Sequence, residues 1–188
     1  GTRVTENSSS RAEVLGSLPA SFWGVYDGHS GYRASEHVAN ELHRVLQRSA
    51  PLAKIAETGV VDKNAVTQAL FAAYAEMERQ VLGLTSEGEP VNDGTTCATV
   101  LRLWNELFVA NVGDSRVVLV TSRGDGRVSG GGGAGGGLAD APPLPGEVSS
   151  DDDVTAIRLS VDHKPDSVEE RARVEACGGT VSRVSPPP

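Results

Sequence analysis

A few short segments carry the residue types from which a hydrolytic or metal-binding site could be built. Val25-Tyr26-Asp27-Gly28-His29-Ser30-Gly31 sets a carboxylate, a flexible backbone carbonyl and an imidazole between a strand-like run and a helix-like one. Oxygen ligands at such a corner suit a hard cation, and an imidazole beside them can donate a proton. For an isolated Asp-Gly-His the plainer reading is a tight turn at Asp27-Gly28, with His29 capping or packing. Further segments shift that balance. Ala110-Asn111-Val112-Gly113-Asp114-Ser115-Arg116 sets Asp114 at a strand end, and Asp93-Gly94-Thr95-Thr96 precedes the strand that should pair with it. Asp162-His163-Lys164-Pro165 lies shortly before Gly178-Gly179.

The elements that must position these residues follow from periodicity. Phe22 to Tyr26 is an aromatic and β-branched run, read as a strand ending at Asp27-Gly28. From Gly31 onward Ala34, Val38, Leu42, Val45 and Leu46 recur at helical spacing, with charged residues elsewhere around the axis. A second helix is predicted from Asp62 as N-cap, with Val66, Leu70, Ala73, Met77 and Val81 along one stripe, to Gly83. Cys97 to Trp104, Leu107 to Val112 and Val117 to Thr121 read as strands joined in antiparallel hairpins. Residues 122–153, with a Gly-rich tract, Pro142, Pro143, Pro145 and the run Asp151-Asp152-Asp153, read as a flexible insertion. A strand over Val154 to Val161 and a helix capped by Ser167 and ending at Gly178-Gly179 complete the ordered part. Helices followed by consecutive strands point to α+β, with helices on antiparallel sheets in one folded unit.

Composition excludes some classes of function. A net charge of -8 argues against nucleic acid or an anionic membrane surface as partner. It also repels a phosphate substrate, so a site for one needs bound cations or a well-placed Arg. Cys97 and Cys177 are too few and too far apart for a disulfide framework, and both read as reduced, small buried residues. Neither a signal peptide's apolar core nor a membrane-length apolar run is present in the sequence, so the expected location is cytoplasmic or nuclear.

Taken together and in order, these segments resemble the metal-dependent protein phosphatase family, also called protein phosphatase type 2C, over Ser21 to Thr121 and Val154 to Val181. The resemblance implies a β-sandwich flanked by helices, with a pair of Mg²⁺ or Mn²⁺ ions, and a third weaker one, in a cleft at one end of the sheets. It implies that Asp27 bridges both ions, that Gly28 contributes its carbonyl to one, and that Asp114 serves the third. His29 would protonate the leaving alkoxide, as suits an imidazole of ordinary pKa about 6.5. The implied reaction is attack on phosphorus by metal-activated water, without a phosphoenzyme. The implied substrates are phosphoserine and phosphothreonine proteins, and a completed domain is expected to be a monomer. Asp162-His163-Lys164-Pro165 and Gly178-Gly179 have structural roles in that scheme.

Three departures stand out. Ser30 replaces the family's usual second Gly, where it is expected to act as a helix N-cap. Near the N-terminus the family has an Arg that grips phosphate, followed by an acidic pair. Here Arg3 is the matching phosphate ligand, while Asn7 and Ser8 stand in place of the acids. After Arg183 the family's later segments, with two further Asp ligands, do not follow, so residues 1–188 read as a partial domain, inactive alone. The alternative is a pseudophosphatase, a binding or scaffold module that keeps the fold and has lost metal ligands.

Overall fold

The computed structural model describes residues 2–5, 20–122, 149–151 and 154–183, the side chains of residues 2–5, 122, 149–151 and 154 excepted. In chain order the elements are β1 (Thr2–Thr5), β2 (Ala20–His29), α1 (Arg33–Gln47), α2 (Ala50–Thr58), α3 (Lys63–Leu82), β3 (Thr85–Ser86), β4 (Glu89–Pro90) and β5 (Gly94–Thr95). They continue with β6 (Cys97–Leu103), β7 (Glu106–Val112), β8 (Val118–Ser122), β9 (Ser149–Asp151), β10 (Val154–Arg158) and α4 (Val168–Ala176). The class is α+β as expected, with antiparallel sheets and flanking helices. One sheet runs β1-β2-β6-β7, with β5 paired to the end of β2; a second runs β8-β10-β9; β3 and β4 form a small hairpin.

The apolar stripes read from sequence are those that fold inward. α1 buries Ala34, Val38, Leu42 and Leu46, and α3 buries Val66, Leu70, Ala73 and Met77. Both stripes meet Tyr26, Leu101 and Leu103 of the first sheet in a single buried cluster. Asp62 caps α3 as expected, its carboxylate accepting from Ala65 N–H at 3.1 Å, and Ser167 caps α4, accepting from Glu170 N–H at 3.4 Å.

Tyr74 ties α3 to the sheet by more than apolar contact. Its hydroxyl donates to the Ala110 carbonyl at 3.0 Å and lies 2.8 Å from Thr99 Oγ1. A phenol has one proton; since the carbonyl can only accept, the Thr99 hydroxyl must donate to Tyr74. Burial pushes the Tyr74 phenol far above its ordinary range, which keeps that proton in place. Tyr74→Phe is therefore expected to cost about 1–3 kcal/mol, because it strands a hydroxyl and a carbonyl under the helix. Urea unfolding of the two proteins measures the difference, and equal midpoints would show that water replaces the lost partner.

Several boundaries differ from the sequence reading. The chain does not turn at Asp27-Gly28: β2 continues to His29, and the bend comes at Ser30, whose φ is 60°. Continued pairing of Gly28 with Thr95 and of His29 with Gly94 carries the strand on. Ser30 is thus not the N-cap of α1; Tyr32 holds that position. α2 falls between the two helices read from sequence, in a stretch to which no element was assigned. Proline at the first turn of a helix loses no hydrogen bond, and Gly59 at φ 70° ends the element. The β6–β7 hairpin turns at Trp104-Asn105, but β7 and β8 do not form a hairpin; β8 pairs with β10 instead. The strand after the insertion ends at Arg158 rather than Val161. Most of the span 122–153 lies outside the described residues, yet Ser149–Asp151 pairs with β10 as an edge strand.

Candidate functional site

The site residues gather where β2 changes partner. Up to Val25 the strand pairs with β6, and beyond it Gly28 and His29 pair with β5. At the junction Asp27 N–H donates to the Thr96 hydroxyl at 3.1 Å, and Thr96 N–H donates to the Asp27 carbonyl at 2.9 Å. Thr96 Oγ1 also lies 2.7 Å from Ser115 Oγ. One buried hydroxyl thereby links the strand carrying Asp27 to the loop carrying Asp114, although the two Asp residues are far apart in sequence.

Strand geometry orients the cluster. Because β2 runs through His29, Asp27 and His29 lie on one face of the pleat and Gly28 on the other. Asp27 and His29 are both exposed. Gly28 faces the first turn of α1, where an added Cβ would lie 2.6 Å from Ser35 Oγ, so only glycine lets the helix approach the strand end this closely. Tyr32 makes no side-chain cap bond; instead Arg33 N–H donates at 2.9 Å to Oδ2 of Asp93. Asp93 is nearly buried and caps α1 from the β5 segment, a role that nothing local in the sequence signals.

The Asp114 loop is held from its other side as well. Gly113, at φ 90°, turns the chain out of β7, and its carbonyl accepts from His163 N–H at 2.9 Å. Arg116 grips Asp162 through two bonds of 3.0 and 2.6 Å, and Arg158 adds a third at 3.0 Å. Asp162-His163-Lys164-Pro165 is structural, as expected, and what it supports is the Gly113-Asp114-Ser115-Arg116 loop. The Arg116 hydrogen bonds hold the Asp162 carboxyl down at about 2, against 3.8 ordinarily. A depressed carboxyl stabilises the fold fully above its unfolded value, and the contribution fades as pH falls through the folded one. Asp162→Asn is thus expected to cost about 1–2 kcal/mol at neutral pH, moderated by the exposure of Arg116. The gap from the parent should shrink as pH drops from about 4 toward 2 in urea titrations. A gap that widened in acid would contradict the clamp.

The cysteines divide. Cys97 is buried beneath α3, and burial pushes its thiol up to about 12, so it has no nucleophilic role. Cys177 was expected to be buried too but is exposed, because α4 buries none of its side chains.

Of the residues singled out from sequence, Asp27, Gly28, His29 and the Asp114 loop converge. Arg3 lies opposite Tyr26 in the β1–β2 ladder, one register position from Asp27, but its side chain lies outside the described residues, as do Asn7 and Ser8. Sequence reasoning missed the roles of Thr96, Ser115 and Asp93. Asp27 and Gly28 offer the oxygen donors that hard cations take. Among the described residues, however, no group of three or more His, Cys, Asp or Glu could hold a metal ion, so the donor set they offer is partial.

Comparison with known proteins shows the family and the fold. The family model described as Protein phosphatase 2C matches residues 3–131 and 148–186. An integrin-linked kinase-associated serine/threonine phosphatase 2C of Bos taurus is 29% identical over 86% of this chain and 36% of its own length. A probable protein phosphatase 2C 11 of Arabidopsis thaliana is 31% identical over 90% of this chain and 34% of its own. The chain spans about a third of the length of these curated relatives. In fold it is similar to the crystal structure of a serine-threonine phosphatase 2C from Toxoplasma gondii, at TM-score 0.58 and 21% identity, covering 85% of this chain and 45% of that one. With the family model matched along most of its length, the chain belongs to the protein phosphatase 2C family.

Proposed function

We propose that the complete protein of which this chain is part hydrolyses phosphoserine and phosphothreonine in proteins, with its catalytic centre at the end of β2. The observation that carries this reading is the link from Asp27 through Thr96 to Ser115, which joins the Asp-Gly-His corner to the Asp114 loop in a member of this family. The family is metal-dependent. Asp27 and Gly28 would hold two Mg²⁺ or Mn²⁺ ions together with carboxylates from outside the described residues, and Asp114 would serve a third. Bound there, the ions would activate water and offset the negative charge of the phosphoryl group. His29, exposed beside Asp27, donates its proton to the departing seryl or threonyl oxygen.

The pseudophosphatase reading is favoured by Asn7 and Ser8 at the positions of the family's acidic pair. Phosphate release from phosphoserine and phosphothreonine peptides in the presence of Mn²⁺ separates the two. Turnover supports the enzyme. Peptide binding without turnover in the complete protein would leave the scaffold.

A further inference from the structure

We infer that Gly94 is a positioning residue for His29, forming a seat on which the imidazole rests. The inference depends on the reading of His29 as the proton donor. His29 and Gly94 stand directly opposite one another in the β2–β5 ladder, the arrangement in which cross-strand side chains make contact. Gly94 has no side chain, and the His29 ring fills the space. A Cβ there would overlap Nε2 and lie 2.6 Å from Cε1 and 3.2 Å from Cδ2. All three atoms belong to the ring rather than to backbone. The φ of Gly94 is not positive, so the backbone itself accepts any residue. The nearest atoms that a side chain at this position would meet are those of the ring.

The seat is itself anchored. β5 is a strand of two residues, too short to hold its place by pairing alone. Asp93, immediately before it, caps α1 through Arg33 N–H at 2.9 Å, and its carboxylate fills the space a Cβ on Gly31 would take. Gly94 is thereby fixed relative both to the strand that carries His29 and to the helix that follows it. An exposed imidazole on an open strand end would otherwise sample several rotamers, and proton donation requires one of them.

A side chain at position 94 should displace the ring without unfolding the domain, since an exposed imidazole can swing into solvent. The test uses the complete protein with Gly94→Ala, His29→Ala and the double variant. Gly94→Ala is expected to lower kcat on a phosphothreonine peptide roughly 10²-fold, within the range for lost general-acid catalysis, with KM little changed. The loss on p-nitrophenyl phosphate, whose leaving group needs less protonation, should be much smaller. The His29 imidazole resonances should move in nitrogen-edited NMR while those of His37, His43 and His163 stay, and the unfolding midpoint should hold. Adding Gly94→Ala to His29→Ala should cost nothing more, because no ring remains to be displaced. Unmoved His29 resonances, or losses that multiply in the double variant, would overturn the inference. Failure of the underlying reading is distinguishable: His29→Ala would then keep full peptide turnover, which overturns the inference at its premise, while the resonance shift still reports the seat.

Discussion

Asp27→Asn in the complete protein is expected to abolish Mn²⁺-dependent hydrolysis of a phosphothreonine peptide while leaving the fold intact. The fold should survive because Asp27 is bound into the structure through its backbone: its N–H donates to Thr96 and its carbonyl accepts from Thr96, and an amide side chain disturbs neither bond. The side chain is exposed, so Asn introduces no buried polar group. What the substitution removes is one full negative charge at the position proposed to bridge two divalent cations. An amide oxygen offers a weaker donor and no charge to offset theirs, so both ions should be lost or misplaced together. Turnover equal to the parent's, at saturating Mn²⁺, would remove Asp27 from the metal site.

His29→Ala should slow phosphothreonine hydrolysis by roughly 10²–10⁴-fold, the range for a lost general acid. An alkoxide is a poor leaving group and departs readily only if protonated as the bond breaks. A nitrophenolate leaves without that help, so the loss on p-nitrophenyl phosphate should be far smaller. The ring is exposed, and its removal should barely change stability. Equal losses on the two substrates would mean that the ring acts on binding or on the site's geometry rather than as an acid.

The elements around this site were legible to different degrees, for reasons that lie in how far apart the deciding contacts are. The helix stripes of α1 and α3 were plain because a buried helical face repeats within a few residues, and Asp62 and Ser167 cap groups only three residues away. Asp27, Gly28, His29 and Asp114 were found as motifs, but their mutual arrangement was not. The strand runs past Asp27-Gly28 because Gly94 and Thr95 pair with it, a contact that local turn preference cannot anticipate. For the same reason Ser30, a good cap by composition, yields to Asp93, whose carboxylate arrives from 60 residues along the chain.

Arg116 and Asp162 were both quoted as motif residues, yet nothing in either segment signals that they form a bidentate pair across 46 positions. Thr96 drew no notice beyond its place ahead of a strand, although its hydroxyl connects the two halves of the site. The β7–β8 connection looked like a hairpin because four residues suffice for one. Gly113 turns the chain away, and β10 offers β8 a full ladder from Val118 to Ser122. α2 buries only Leu52 and Ile55, too short a stripe to stand out, and begins with a proline that a first turn accepts.

The central claim, that the corner formed by Asp27 and Gly28 holds the catalytic cations, is tested most directly by calorimetric titration of Mn²⁺ into the complete protein and into its Asp27→Asn variant. The parent should bind more than one ion, and the variant should lose that binding while keeping its unfolding midpoint. Superimposable isotherms would place the metal elsewhere and contradict the claim.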